Sequence, residues 1–173
     1  WELYNGIRCV SEFLESIEKI DFSKYYYDSK YERQMEHVKT FPYQARVLRA
    51  FYLFELARRY GDIPVPMKML SIEEANTIAK TPFDQVIDFI VAECDECAPN
   101  LPTTYIGMLD DEYGRATKGF AMAVKTKALL YAASKLHNPE MDPEKWKKAA
   151  LAAQDVINLG IYVLDSGDKV NTT

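Results

Sequence analysis

Arg46–Val65 reads RVLRAFYLFELARRYGDIPV. Apolar and aromatic side chains follow one another almost without pause, and the run stops at Gly61, with Pro64 and Pro66 close behind. Leu48, Phe51, Phe54, Leu56 and Ala57 spread around more than one face of a helix. A helix over about 42–60 must therefore be covered by neighbours on several sides. Gly61 supplies a left-handed cap, and the prolines forbid continuation. Such a segment is the central beam of a helical frame, and it carries no obvious catalyst.

Four further amphipathic helices are predicted around it, at about 2–20, 82–98, 116–136 and 143–158. The first carries the stripe Leu3, Ile7, Val10, Leu14 and Ile17. The next opens with Thr81 as N-cap and Pro82 at its first position, and closes before Pro99. The 116–136 helix is rich in small residues, among them Gly119, Ala121, Ala123, Ala128, Ala132 and Ala133. Gly119 and Ala123, one turn apart, are expected to face a close-packed helix. The last helix starts at Asp142 and Pro143, carries Trp146, Ala149, Ala150, Ala153, Val156 and Ile157, and stops at Gly160. No segment shows convincing strand alternation. The expected fold is all-α: tetratricopeptide-like stacked helical hairpins, without a strict period of about 34 residues. The connections at about 21–41, 62–81 and 99–115 are long for such a frame.

The chain has 173 residues, a usual size for one domain, and 48% of them are hydrophobic, enough to fill a core. Its formal charge is -5 and its pI about 5.1, which argues against nucleic acid or an anionic lipid surface as partner. No apolar run reaches the roughly 18–20 residues of a membrane helix. The chain begins at Trp1, inside a periodic pattern, and is expected to be a processed chain or a fragment of a longer protein.

Three cysteines are too few for a disulfide framework. Cys94 and Cys97 form a CxxC. They continue the apolar face of Phe83, Val86, Ile87 and Ile90 at the end of a helix, so they read as core residues. A redox pair would favour a helix N-terminus, and a zinc site needs two further ligands that the isolated His37 and His137 do not provide. No cofactor is expected. Asp110, Asp111 and Glu112 could hold calcium, but they lack the alternation and glycine of an EF-hand; a solvated loop is the simpler reading. Asp165 and Asp168 flank a Ser-Gly turn.

Aromatic residues are abundant: 12 Tyr, 8 Phe and 2 Trp. Phe51, Phe54, Phe83 and Trp146 fit core stripes. Tyr25, Tyr26, Tyr27 and Tyr31 crowd a predicted loop, and consecutive tyrosines cannot all bury on one face. They either cover the ends of neighbouring helices or form a surface that stacks on sugar rings or meets another protein. Together with Trp1 they are the candidate ligand-binding residues; no catalytic or metal residues are assigned.

The opening stretch resembles the signature of the SusD/RagB family of nutrient-binding outer-membrane lipoproteins, AEAxFLRAxxYFxLxxxYGDxP. Ala45, Leu48, Arg49, Ala50, Phe54, Leu56, Tyr60, Gly61, Asp62 and Pro64 match it. WELYNGIRCVSEFLESI, TPFDQVIDFIVAECDECAPNLP, GRATKGFAMAVKTKALLYAAS and INLGIYVL resemble further family segments, in family order, over nearly the whole chain. Gln44 stands where the family prefers Glu, and Ser11 where it often has Asn. Family members are much longer, so residues 1–173 resemble their N-terminal helical domain. The resemblance implies a surface-exposed outer-membrane lipoprotein that captures oligosaccharides, or in some members peptides, for a SusC-like TonB-dependent transporter. It would bind without catalysing, held to the membrane only through a lipid anchor outside this chain. The rival reading is a helical-repeat scaffold that binds peptides or proteins and no sugar. An enzyme whose catalytic residues lie outside this sequence is a weaker third.

Overall fold

The computed structural model describes residues 2–106 and 114–163. Among them are seven α-helices: α1 Glu2–Ile17, α2 Tyr31–Val38, α3 Phe41–Tyr60, α4 Ile72–Thr77, α5 Phe83–Cys97, α6 Lys118–Ala133 and α7 Pro143–Asn158. Backbone pairing between extended segments is confined, among the described residues, to one antiparallel bridge between Ile63 and Thr81. The fold is all-α, as expected.

The helices pack in a row. α1 lies on α3, α3 on α5, α5 on α6 and α6 on α7, while α3 also touches α6. α3 is the beam that its composition requires. Val47, Ala50, Leu53, Phe54, Leu56 and Ala57 are buried, and they point to different neighbours. Ile7 from α1, Val86, Ile87 and Ile90 from α5, and Val124 and Ala128 from α6 close around them. The fully buried Leu53 and Phe54 mark its centre. Truncating either to Ala would cost about 2–5 kcal/mol through lost transfer energy and the cavity left behind.

The expected connections are more structured than the sequence suggested. Residues 21–41 hold α2, and residues 62–81 hold the short α4. α2 has no buried residue and α4 none, so neither carries the apolar stripe by which helices were recognised. α4 is fixed by local chemistry instead: the Ser71 hydroxyl accepts from the Glu74 amide, and the Glu74 carboxylate accepts from the Ser71 amide.

The start of α5 departs from expectation as well. Thr81 does not cap it. Pro82 occupies the cap position, without a side-chain acceptor, and the free amide of Phe83 donates to Asp62 Oδ1 at 2.8 Å. Gly61, at φ 71°, turns the chain so that Asp62 can reach that amide. The reciprocal Ile63–Thr81 backbone bonds, 3.2 and 2.8 Å, close the base of the same excursion.

At the other end, Asp142 caps α7 by accepting from the Glu144 amide at 2.9 Å. The buried Asn138 ties the α6–α7 turn by bonding both backbone groups of Asp142. Trp146, expected in the core, is 46% exposed: among the described residues α7 packs chiefly on α6, and the residues it buries there are Ala149 and Ala152. Ala123 is exposed too. Gly119 is buried, and the side chain nearest to it is that of Tyr162, from the segment after α7.

Candidate functional site

The tyrosine segment is built from tight local turns. Asp21 Oδ1 accepts the Ser23 amide at 2.9 Å, and the Ser23 hydroxyl, together with this amide, holds the Asp21 carboxyl below its ordinary value. A single 3₁₀ turn, Ser23–Tyr25, follows, and the Asp28 amide closes onto the Tyr25 carbonyl at 2.9 Å. Asp28 then receives the Lys30 amide on its side chain and the Tyr31 amide on its carbonyl.

Successive turns leave the three consecutive rings no common wall to pack on. Tyr26 and Tyr27 are 74% and 76% exposed, and Tyr25 is about half exposed. The Tyr26 and Tyr27 rings meet edge to face at 5.9 Å between centroids, and Lys24 Nζ lies 5.2 Å from the Tyr25 ring centre. These rings stand in solvent rather than over helix ends. Tyr31 is different. It is the first residue of α2, half-buried, beside a shallow depression shared with Met35 and Glu36. The structure therefore pairs the Tyr26 and Tyr27 rings in solvent, next to a half-exposed Tyr25, and places Tyr31 at the start of α2. Trp1 lies outside the described residues.

A second concave feature was not foreseen. A groove of about 510 Å³ runs between α1, the end of α3 and the segment from Pro64 to Ile78. Tyr4, Ile7, Arg8 and Ser11 line it from one face of α1, and Leu56 and Tyr60 from α3. Two bonds pin the 64–78 segment to α1: the Tyr4 hydroxyl donates to the Pro64 carbonyl at 3.2 Å, and the Met69 amide donates to Glu15 Oε1 at 3.1 Å. The i, i+3, i+4, i+7 spacing of its α1 residues was legible. The folding back of residues 64–78 was not, since it depends on these contacts between distant segments.

The remaining polar clusters serve the frame. Arg46 bridges Glu93 and Glu96, with its terminal nitrogen 2.6 Å from each, and Arg49 reaches Glu93 at 3.0 Å. Hydrogen bonds to Glu96 and Glu93 raise the Arg46 guanidinium above its ordinary value, and Arg46 holds the Glu96 carboxyl below its own. Cys94 and Cys97 lie in the core, as their stripe implied. Burial pushes the Cys94 thiol up to about 12 and that of Cys97 to about 11, the reverse of an activated thiolate. Among the described residues no three His, Cys, Asp or Glu side chains converge to hold a metal ion. Asp110, Asp111, Glu112, Asp165 and Asp168 lie outside the described residues.

Comparison with known proteins identifies the family. Over 116 residues the chain is 32% identical to SusD-like protein P2 of Formosa agariphila, an alignment covering 66% of this chain and 20% of that protein. A SusD-like carbohydrate binding protein from Bacteroides fragilis superposes with a TM-score of 0.62 at 28% identity, over 75% of this chain and 23% of that one. The chain belongs to the SusD/RagB family. A SusD homolog from Bacteroides thetaiotaomicron matches 94% of this SusD-like chain and 29% of its own length, at 25% identity and a TM-score of 0.69. The helical stack is thus the tetratricopeptide-like one of SusD-like proteins. No protein-family model matches the chain. The chain spans about a fifth of the curated relative it matches and under a third of the solved structures named here.

Within a SusD-like frame the signature residues have physical roles. Arg49 is the buried partner of Glu93, Gly61 turns the chain at the end of α3, and Asp62 caps α5. The two departures from the family pattern are both satisfied. Gln44, buried, donates to Thr40 Oγ1 at 2.8 Å and accepts from Arg115 at 3.4 Å. The Ser11 hydroxyl donates to the Ile7 carbonyl at 3.2 Å.

Proposed function

We propose that residues 1–173 are the N-terminal helical domain of a surface glycan-binding protein, which captures oligosaccharide for a SusC-like TonB-dependent outer-membrane transporter. The observation that carries this reading is the likeness to the carbohydrate-binding SusD-like protein of Bacteroides fragilis, joined to an exposed tyrosine surface on a rigid frame. Each sugar hydroxyl exchanges one hydrogen bond to water for one to protein, so the net gain per hydroxyl is small. Apolar ring faces supply much of the rest by stacking against the sugar, and Tyr25, Tyr26 and Tyr27 present such faces. The domain binds without catalysing. Its place is the cell surface, held by a lipid anchor outside this chain; among the described residues no helix is long and apolar enough to cross a membrane.

Isothermal titration of the protein with a panel of oligosaccharides, repeated with Tyr26 and Tyr27 both changed to Ala, tests the reading. A loss of sugar affinity with helical content unchanged places the ligand on this surface. Retained sugar affinity with weakened binding to the purified transporter assigns the rings to docking. Absence of any glycan affinity, with peptides bound instead, favours the scaffold reading.

A further inference from the structure

We infer that the groove between α1, the end of α3 and residues 64–78 is a second binding site, built for a short apolar peptide segment that carries a carboxylate. Its size, about 510 Å³, is in the range of ligand sites and gives room for about three medium side chains. Ile7, Leu56, Pro64, Pro66, Leu70 and Ile78 make its lining mostly apolar. Sugar hydroxyls set against these side chains would lose water without gaining partners, whereas aliphatic or aromatic side chains would gain from leaving it.

The polar groups of the groove select the charge. The Tyr4 and Ser11 hydroxyl protons are already donated to the Pro64 and Ile7 carbonyls. Lys68 is neutralised by Glu74 at 2.7 Å. Arg8 remains. It shares the groove face of α1 with Tyr4 and Ser11, and among the described residues no carboxylate pairs with it. A free guanidinium at the edge of an apolar groove, in a chain of charge -5, is complementary to one acidic group beside an apolar body. Tyr60, 70% exposed at the same edge, adds a ring face for an aromatic side chain. The pins from Tyr4 and Glu15 hold the 64–78 wall in place before any ligand arrives, which lowers the ordering cost of binding.

The test is amide chemical-shift mapping of the purified, isotope-labelled protein with two probes, acetyl-Leu-Phe-Glu-amide and acetyl-Leu-Phe-Gln-amide. The acidic peptide is expected to shift the amides of Ile7, Arg8, Ser11, Leu56, Ala75 and Ile78, and to bind about fivefold more tightly than its neutral twin, as one exposed ion pair allows. Arg8→Gln should erase that difference while leaving the neutral peptide unaffected. Ala75→Trp, a change at an exposed site on α4, should fill the groove and abolish both. Equal affinities for the two peptides, shifts confined to other residues, or binding that survives Ala75→Trp would overturn the inference. So would laminarihexaose moving the same amides, which would make the groove a sugar site.

Discussion

Asp62 and Phe83, 21 positions apart, are joined by one hydrogen bond: the carboxylate Oδ1 accepts the first free amide of α5 at 2.8 Å. The YGD ending of α3 is therefore also the cap of α5. One residue sets the geometry at the end of one helix and the start of the next. A carboxylate at a helix N-terminus gains from the free amides and from the helix dipole. Asp62→Ala is expected to lower stability by about 1 kcal/mol, and Asp62→Asn by less, because the amide oxygen still accepts. Denaturant midpoints of the two variants check the order; equal losses would mean that the cap contributes through something other than this bond.

Glu93 is the carboxylate partner of the buried Arg49, and it shares Arg46 with Glu96. Arg49 is 4% exposed, its terminal nitrogen is held by Glu93, and its Nε has no partner among the described residues. Glu93→Gln would leave that guanidinium buried without a counter-charge, at about 3 kcal/mol. Glu96→Gln removes an equally short contact to Arg46 from an exposed position and should cost less than about 1 kcal/mol. Urea unfolding with unchanged slope and two different midpoints is the expected result.

The cysteines divide by burial. Cys9 is exposed, whereas Cys94 and Cys97 are buried with thiols raised to about 11–12. Iodoacetamide at pH 8 should modify Cys9 in the native protein and reach the other two only after denaturant is added. Only the thiolate is a nucleophile, and burial disfavours it. Rapid native alkylation of Cys97 would show that the CxxC opens to solvent.

Gly119 and Tyr162 should be thermodynamically coupled. A Cβ at Gly119 would lie 2.8 Å from ring atoms of Tyr162, too close for carbon atoms, so the ring must move. In a Tyr162→Ala background the added methyl meets no ring, and Gly119→Ala should stabilise α6 by about 0.5–1 kcal/mol from helix propensity alone. In the native background that gain should vanish or reverse. A double-mutant cycle of thermal unfolding reads the coupling directly; additive effects would place Tyr162 elsewhere in solution.

How much was legible in the sequence follows from which physical scale fixes each feature. α3, α5, α6 and α7 could be read because apolar periodicity and capping residues act within one helical turn. Burial of Cys94 and Cys97 followed from the same periodicity. α2 and α4 leave no apolar stripe in the sequence because neither contains a buried residue. Of the candidate site, the sequence located Tyr25, Tyr26 and Tyr27 by their crowding. Their exposure, and the half-burial of Tyr31 at the start of α2, followed from turns that only the folded backbone displays.

The sequence by itself determined an all-α frame around one beam and, through the order of its motifs, the family. Composition, periodicity and caps are local, and they survive in the written chain. Only the tertiary structure decided that Asp62 rather than Thr81 caps α5, that Tyr162 covers Gly119, that Trp146 faces outward, and that residues 64–78 fold back to leave a groove beside Arg8. All but the exposure of Trp146 join residues distant in sequence, and that exposure depends on which face of α7 meets α6. Such contacts depend on the angles at which whole helices pack, and no local pattern of side chains encodes those angles.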